Sequence, residues 1–205
     1  MSFFYRDLSK EHILSKYLDS IYKELLLPFN RVNNLDMQFK GVDLIYDKKG
    51  ANIYIDEKAQ LDYLNSDLPT FTFELSYLKA GKLKTGWFLD STKISHFYFL
   101  VTNIQAQDAN DISKGIIKCK ITSVNRHKLN RFLHEIGLSF DKLSQYDDSI
   151  RKIKNPNKKT IINELFQNSQ GCIVYSEHLK EKPINLMLKL NFLIEQGIAK
   201  RIYPN

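Results

Sequence analysis

Two β-type runs joined by a short turn constrain the fold of this chain more than any other feature. The runs are FKGVDLIY at residues 39–46 and NIYIDEKAQ at residues 52–60, and DKKG lies between them at residues 47–50. Runs of this kind indicate strands, and Gly50 can supply the positive φ angle that a tight turn needs. We therefore predict a β-hairpin in the first third of the chain.

Polar side chains share one face of the second predicted strand. Successive side chains of a strand alternate between its two faces, so Asp56, Lys58 and Gln60 point the same way. Across the turn, Asp43 interrupts an apolar run, where a carboxylate is costly unless a cation or a donor meets it. The hairpin is therefore expected to bring two carboxylates and an ammonium group together.

This combination of groups suits the cleavage of a phosphodiester. The reaction requires neutralisation of charge on the phosphoryl oxygens, a hydroxide-like nucleophile and help for the leaving oxygen. Hard oxygen ligands select Mg²⁺ or Mn²⁺, so we expect Asp43 and Asp56 to hold such an ion, with the backbone carbonyl of Glu57 as a third ligand. We expect Lys58 to activate the attacking water or to steady the transition-state charge, and Gln60 to position substrate or water.

The same residues resemble the core motif of a known superfamily. The segment Gln38-Phe-Lys-Gly-Val-Asp43, a turn, and then Ile55-Asp56-Glu57-Lys58-Ala-Gln60 is similar to the motif of the PD-(D/E)xK, restriction-endonuclease-like nucleases. In that motif an Asp ends one strand and Asp-x-Lys lies on the next. Val42 replaces the namesake proline, a substitution that the superfamily often shows.

The resemblance extends over roughly residues 10–102 and carries structural implications. The segments FEL at 73–75 and GWFLD at 86–90 also resemble parts of small bacterial proteins of this class. The resemblance implies a four- or five-stranded mixed sheet between helices, a divalent metal and a nucleic-acid substrate.

Two further carboxylates are accessory candidates. Glu74 lies in the alternating run TFTFELSY at 70–77, where it either approaches the metal or the lysine or is a solvated strand position. Glu11 lies on a first helix predicted from Ser9 to Leu26. It is either the helix-borne carboxylate that many members of the class supply or an ordinary acidic residue near a helix N-terminus. The helix macrodipole favours the second interpretation.

The rest of the chain predicts a mixed α/β (α+β) fold. The pattern indicates strands at 96–102, 116–122 and 172–175, a polar linker at 141–159, and helices from Arg126 to Ile136, Thr160 to Phe166 and Pro183 to Gly197. We predict a restriction-endonuclease-like core over residues 1–137, with a central mixed β-sheet flanked by helices. A basic C-terminal α/β extension over residues 138–205 is expected to pack on this core.

Positive charge is concentrated in the second half of the chain. The net charge is +7, and residues 1–110 hold 13 Lys and Arg against 14 Asp and Glu, whereas residues 111–205 hold 17 against 9. A basic half beside an acid-bearing half suits a protein that grips a polyanion, although a solvated surface explains the charge nearly as well. The expected phosphate contacts are Arg126, Lys128, Arg131, Arg151, Lys152, Lys154, Lys158 and Lys159.

Other features exclude some classes of protein. The apolar runs are far shorter than the roughly 20 residues of a membrane-spanning helix, and the N-terminus lacks a signal-peptide pattern. We therefore expect a cytoplasmic protein without a membrane partner, and we leave a homodimer open. Cys119 and Cys172 lie in apolar runs without metal-ligand spacing, so we expect buried small hydrophobes rather than a disulfide or zinc ligands.

Three classes of function remain open. The first is a metal-dependent nuclease acting on nucleic acid, with DNA as the first candidate. The second is a non-catalytic nucleic-acid-binding protein with the same fold, and the third is a structural role. The paired acids beside a lysine favour the nuclease, because a protein that only binds has no reason to keep them.

Overall fold

The computed structural model describes residues 3–48, 50–154 and 156–204, with side chains from residue 9 onward. The helices are α1 (Phe3–Glu24), α2 (Leu35–Phe39), α3 (Arg126–Glu135), α4 (Phe140–Lys152) and α5 (Leu190–Glu195). The strands are β1 (Phe29–Arg31), β2 (Leu44–Lys48), β3 (Ala51–Ala59), β4 (Thr70–Lys79), β5 (Lys82–Thr85), β6 (Phe97–Ala106), β7 (Ile116–Asn125), β8 (Lys159–Thr160), β9 (Gly171–Tyr175), β10 (Ile184–Lys189) and β11 (Ala199–Tyr203).

These elements form two compact units, each with its own sheet. The first unit comprises residues 1–68, 94–124 and 200–205, and the second comprises residues 69–93 and 125–199. This division differs from the one that we predicted at residue 137. The reason is that β4 pairs with β10, which lies far along the chain, and local periodicity cannot reveal such a pairing.

The sheet of the first unit is mixed. Its strand order is β1-β2-β3-β6-β7-β11. β2 runs antiparallel to both β1 and β3, whereas β3 runs parallel to β6. The mixed α/β class predicted from the sequence is confirmed, with six strands in this sheet where the resemblance implied four or five.

The predicted hairpin joins β2 and β3. Tyr46 pairs with Ile53 and Lys48 with Ala51. Gly50 has a φ angle of 85°, as the turn requires, and its N–H donates to Oδ1 of Asp47 (2.8 Å). The turn therefore fixes the register of the two strands that carry the predicted site.

Helix α1 contributes an apolar stripe to the core of the first unit. Leu14, Leu18, Ile21 and Tyr22 recur at helical spacing and are buried together with residues of β2, β3, β6 and β7. The helix begins at Phe3, before the predicted start at Ser9, and it ends at Glu24. It presents its buried stripe to the sheet that holds the hairpin.

The sheet of the second unit has the strand order β5-β4-β10-β9-β8. Each neighbouring pair is antiparallel. The prediction of a half-buried strand at residues 70–77 is confirmed, because Phe71, Phe73 and Leu75 are buried on one face of β4.

The prediction of a polar linker at residues 141–159 was wrong over most of that range. Residues 140–152 form helix α4, which begins after Ser139, whose Oγ accepts the N–H of Lys142 (3.2 Å). Leu143, Asp147 and Ile150 recur at helical spacing and are buried. The carboxylate of Asp147 interrupts the apolar part of this stripe, so the sequence did not show it as a buried helix face.

Two further predictions in the second unit need correction, and one is confirmed. Lys159–Thr160 is the short strand β8, not the beginning of a helix to Phe166. The predicted helix from Pro183 is β10 followed by the short helix α5, because Ile184, Leu186 and Leu188 alternate in burial with a period of two. The helix predicted from Arg126 is confirmed as α3.

The predicted burial of the two cysteines is confirmed, since Cys119 and Cys172 are both buried free thiols. Among the helices of the described residues, none combines the length and the apolar character that crossing a membrane would need.

Candidate active site

Asp43 lies at the entrance to β2, where hydrogen bonds hold both its backbone and its side chain. Its N–H donates to the carbonyl of Ile55 (2.9 Å), and its carbonyl accepts the N–H of Val32 (2.8 Å). Its Oδ2 accepts the backbone N–H of Glu57 (2.7 Å). The carboxylate is therefore held against β3, on the strand that carries the other predicted residues.

Asp56 and Lys58 lie on one face of β3, as the period of two predicts. Nζ of Lys58 contacts Oδ1 of Asp56. The Asp56 side chain is almost inaccessible, with 1% of the residue exposed. Its second oxygen, Oδ2, is buried and has no hydrogen-bond partner among the described residues. A buried carboxylate oxygen in this state is costly unless a further positive group meets it.

The electrostatics of this cluster keep Lys58 charged. Burial raises the pKa of Asp56 to about 6; Lys58 opposes the increase, and Asp43 adds to it. Burial lowers the pKa of Lys58, but the nearby carboxylates of Asp56, Asp43 and Glu11 outweigh it, and the pKa is raised overall. Three carboxylates therefore stabilise the charge of one ammonium group.

Glu11 extends from α1 to the same pocket. It lines this pocket with Asp43 and Lys58, and its charge contributes to the raised pKa of Lys58. Because α1 begins at Phe3, Glu11 is not in the first turn, where the macrodipole acts most strongly. The macrodipole explanation that we favoured from the sequence therefore does not apply to Glu11.

The side chain of Glu57 belongs to an ion-pair network that the sequence did not indicate. Oε1 of Glu57 accepts the hydroxyl of Tyr22 (2.6 Å), and Oε2 accepts Nη1 of Arg31 (2.6 Å). Arg31 also donates from Nε and Nη2 to Oδ1 of Asp19 (2.9 and 2.7 Å). The network connects α1, β1 and β3. It includes the side chain of Glu57, the residue whose backbone N–H donates to Asp43. We call Asp19, Tyr22, Arg31 and Glu57 the arginine network.

A pocket of about 670 Å³ lies next to Asp43, Lys58 and Glu11. Its polar lining includes Glu11, His12, Ser15, Arg31, Asn33, Gln38, Asp43, Glu57 and Lys58. Gln60 does not line it; the Gln60 N–H donates to the carbonyl of Val101 (3.0 Å) just beyond the end of β3. Asp43 and Lys58 thus share the pocket with residues of α1, whereas the buried Asp56 does not line it.

The donor set is compatible with a hard divalent cation. Within the described residues there is no group of three or more Asp, Glu, His or Cys side chains that could hold a metal. Asp43 and Asp56 would supply two carboxylate ligands. The side chain of Glu57 binds Tyr22 and Arg31, so Glu57 could offer a metal only its backbone carbonyl. Mg²⁺ commonly binds to one or two carboxylates and keeps several waters, so a small protein donor set fits it.

The other predicted residues lie in the second unit. Glu74 is on β4, and it is not among the residues that line the pocket. Lys152, Lys154, Lys158 and Lys159 are all exposed. On α3, Lys128 donates from Nζ to the carbonyl of Gly197 (3.1 Å), Arg131 is ion-paired with Glu135 at 3.7 Å, and Arg126 is half-buried.

Arg151 differs from the other basic residues because its guanidinium group is occupied. Nε donates to Oγ of Ser76 (3.0 Å) and lies 3.5 Å from Oδ2 of Asp147. The group also lies over the ring of Tyr175, 5.8 Å from its centroid. We therefore assign Arg151 a structural role and leave it out of the expected phosphate contacts.

We compared the chain with models of known protein families, with curated proteins and with solved structures, and none of them matched.

Proposed function

We propose that this protein is a metal-dependent nuclease of the PD-(D/E)xK class that hydrolyses phosphodiester bonds in nucleic acid, with DNA as the first substrate to test. The observation that carries the proposal is the juxtaposition of Asp43, Asp56 and Lys58 on a hairpin beside a polar pocket. The resemblance of the motif formed by these same residues to the PD-(D/E)xK motif supports the choice of class.

Asp43 and Asp56 are the proposed ligands of Mg²⁺ or Mn²⁺, together with the carbonyl of Glu57. When bound, such an ion supplies positive charge to the phosphoryl oxygens and makes a bound water more acidic. The buried Oδ2 of Asp56 supports this assignment, because it has no hydrogen-bond partner among the described residues. The Glu57 N–H keeps the Asp43 carboxylate turned towards β3.

Lys58 is the proposed catalytic lysine. Its ammonium group remains charged, contacts Asp56 and belongs to a residue that lines the pocket. From there it would orient the attacking water or stabilise the negative charge that develops on the phosphoryl oxygens. Glu11 is the proposed accessory carboxylate, whereas Gln60, which does not line the pocket, is assigned no role in the reaction.

The second unit is the proposed nucleic-acid-binding region. It carries 16 Lys and Arg against 10 Asp and Glu, whereas the first unit carries 14 against 13. Contacts between such residues and phosphates would position the substrate without reading its sequence. With a nucleic-acid substrate, the cytoplasm is the proposed place of action.

The proposal is tested by incubation of the purified protein with supercoiled plasmid and with single-stranded DNA, in Mg²⁺, Mn²⁺ or EDTA. We expect cleavage with either ion, none in EDTA, and none by Asp43→Asn or Asp56→Asn. Asp62→Asn, which changes an exposed acid of the first unit, is the matched control and should retain activity. Binding without cleavage by the parent protein would favour the non-catalytic alternative, and full activity in EDTA would refute the role of the metal.

A further inference from the structure

An exposed strip in the second unit combines lysines with large apolar side chains. It runs from the end of α4 through β8 to the turns before β9. Its residues are Lys152, Lys154, Lys158, Lys159, Ile161 and Phe166, and we call it the β8 strip. The proposed cleavage site does not require any of these residues.

The backbone of the second unit brings the parts of the β8 strip to one sheet edge. β8 is the last strand in its sheet, and Lys159 pairs with Val174 of β9. Tyr175, at the end of β9, receives the guanidinium of Arg151 over its ring and donates its N–H to the carbonyl of Lys158 (3.0 Å). The end of α4 and the start of β8 therefore meet at Tyr175.

Phe166 occupies the other end of the strip. Its carbonyl accepts the N–H of Gly171 (3.2 Å), so it lies beside the first residue of β9. β9 thus runs from the neighbourhood of Phe166 to the neighbourhood of Lys158. The backbones of Phe166 and Lys158 therefore lie at opposite ends of β9, the strand next to the edge strand β8.

The lysines of the strip form an uncompensated positive patch. Within the described residues, none of Lys152, Lys154, Lys158 and Lys159 forms an ion pair, although lysines elsewhere in the chain do. The sequence from residue 151 to residue 160 contains no acidic residue. Such a patch attracts a polyanion and disfavours pairing with a second copy of the same edge.

The apolar side chains of the strip are unusually exposed. Phe166 is 75% exposed and Ile161 is 68% exposed, whereas their neighbours Leu165 and Ile162 are buried in the core. A single exposed apolar residue needs no explanation, but two in the same strip as four lysines offer both charge and a flat ring to one extended ligand.

We propose that the β8 strip binds single-stranded nucleic acid, with the lysines on the phosphates and at least one base stacked on Phe166. A duplex offers phosphates at its surface but keeps its bases stacked inside, so it would leave the phenyl ring without a partner. A single strand offers both groups, and base stacking on aromatic rings tolerates any sequence. The inference rests on the proposed function only for the class of ligand, and it adds the strandedness.

The test measures binding in EDTA, so that it does not depend on cleavage. Fluorescence anisotropy with a labelled dT oligonucleotide and a labelled duplex is recorded over a range of salt concentrations. The variants are Phe166→Ala, Phe166→Trp and the double variant Lys158→Ala/Lys159→Ala. The matched control is Phe39→Ala, since Phe39 lies in the first unit and is 71% exposed.

We expect Phe166→Ala to weaken oligo-dT binding by about 5- to 150-fold, the range for loss of one stacked base. Its salt slope and its affinity for the duplex should be unchanged, because a phenyl ring releases no counterions. Phe166→Trp should retain binding, and Phe39→Ala should bind as the parent does. The double lysine variant should flatten the salt slope on single strands by about 1.4.

Parental oligo-dT affinity in Phe166→Ala would overturn the proposal, as would an equal loss on the duplex. A parent protein that is a dimer by sedimentation and becomes monomeric in Phe166→Ala would also overturn it, because a second copy would then be the occupant. If the parent cleaves DNA normally but Phe166→Ala binds oligo-dT as the parent does, this inference is refuted and the proposed nuclease is not. Ring-dependent binding with no cleavage in Mg²⁺ supports this inference and removes the proposed nuclease.

Discussion

Replacement of Arg31 by Met should destabilise the first unit strongly, because the arginine network is largely buried. The side chains of Arg31 and Glu57 are 24% and 11% exposed, and their closest atoms are 2.6 Å apart. Removal of one partner from a buried pair costs about 3 to 5 kcal/mol, since the other charge remains uncompensated. Tyr22 would still donate to Glu57, so we expect the lower end, about 3 kcal/mol.

Scanning calorimetry measures this effect as a change in Tm. For a chain of this size, about 3 kcal/mol corresponds to roughly 6 to 12 °C. Arg131→Met is the matched control, because Arg131 and Glu135 lie 3.7 Å apart and are each 63% exposed, where ion pairs stabilise little. A shift of Arg31→Met no larger than that of Arg131→Met would refute the energetic role of the network.

Three further predictions concern buried or crowded positions. Burial raises the pKa of Asp147, so its contribution to stability is complete below its ordinary value of 3.8 and is lost as pH rises through the raised pKa. In Asp147→Asn, the unfolding free energy measured in urea should therefore decrease less with pH above about pH 4 than it does in the parent. An equal decrease with pH in the two proteins would contradict this prediction. Burial raises the pKa of Cys119 to about 12, so a thiol reagent should label it only after denaturation, and rapid native labelling would show that it is accessible. A Cβ at Gly86 would lie 2.3 Å from the backbone oxygen of Glu74, so Gly86→Ala should cost about 1 to 3 kcal/mol in urea unfolding. Gly50→Ala should reduce the unfolding free energy by less, because a Cβ at Gly50 meets open space, although the φ angle there is 85°. A larger loss for Gly50→Ala than for Gly86→Ala would contradict the packing argument.

The hairpin could be predicted from the sequence because its information is local. Alternation and Gly50 indicate both strands and the turn, and the same period of two places Asp56 and Lys58 on one face. The contact between their side chains agrees with this expectation. The position of Asp43 across the hairpin follows from the same register.

The arginine network could not be predicted, because its members come from three elements. Tyr22 has the spacing of an ordinary core residue on α1, and nothing around Arg31 in the sequence indicates a buried partner. The same limit applies to the pairing of β4 with β10, which determines the second unit. Periodicity reports how a segment is buried, but it does not report which distant segment covers it.

Helix α4 and strand β10 illustrate a second limit. The buried stripe of α4 includes the carboxylate of Asp147, which binds Ser76 and is therefore invisible to a search for apolar periodicity. In β10 the alternation is present in INLMLK, but Pro183 also suits the first turn of a helix, and the sequence leaves these signals in conflict.

The central claim, that Lys58 acts in metal-dependent phosphodiester cleavage, is tested most directly by Lys58→Met under single-turnover conditions. This change removes the ammonium group and keeps an apolar stem beside Asp56. Lys48→Met, which makes the same change at an exposed position of β2, is the control. DNA binding is measured separately in Ca²⁺, which should fill the site without supporting efficient cleavage.

The account predicts that Lys58→Met cleaves roughly 10²- to 10³-fold more slowly than the parent in Mg²⁺, with DNA affinity nearly unchanged. Lys48→Met should cleave at the parental rate. Cleavage by Lys58→Met at the parental rate, or a loss of binding as large as the loss of rate, would contradict the assignment of the catalytic lysine.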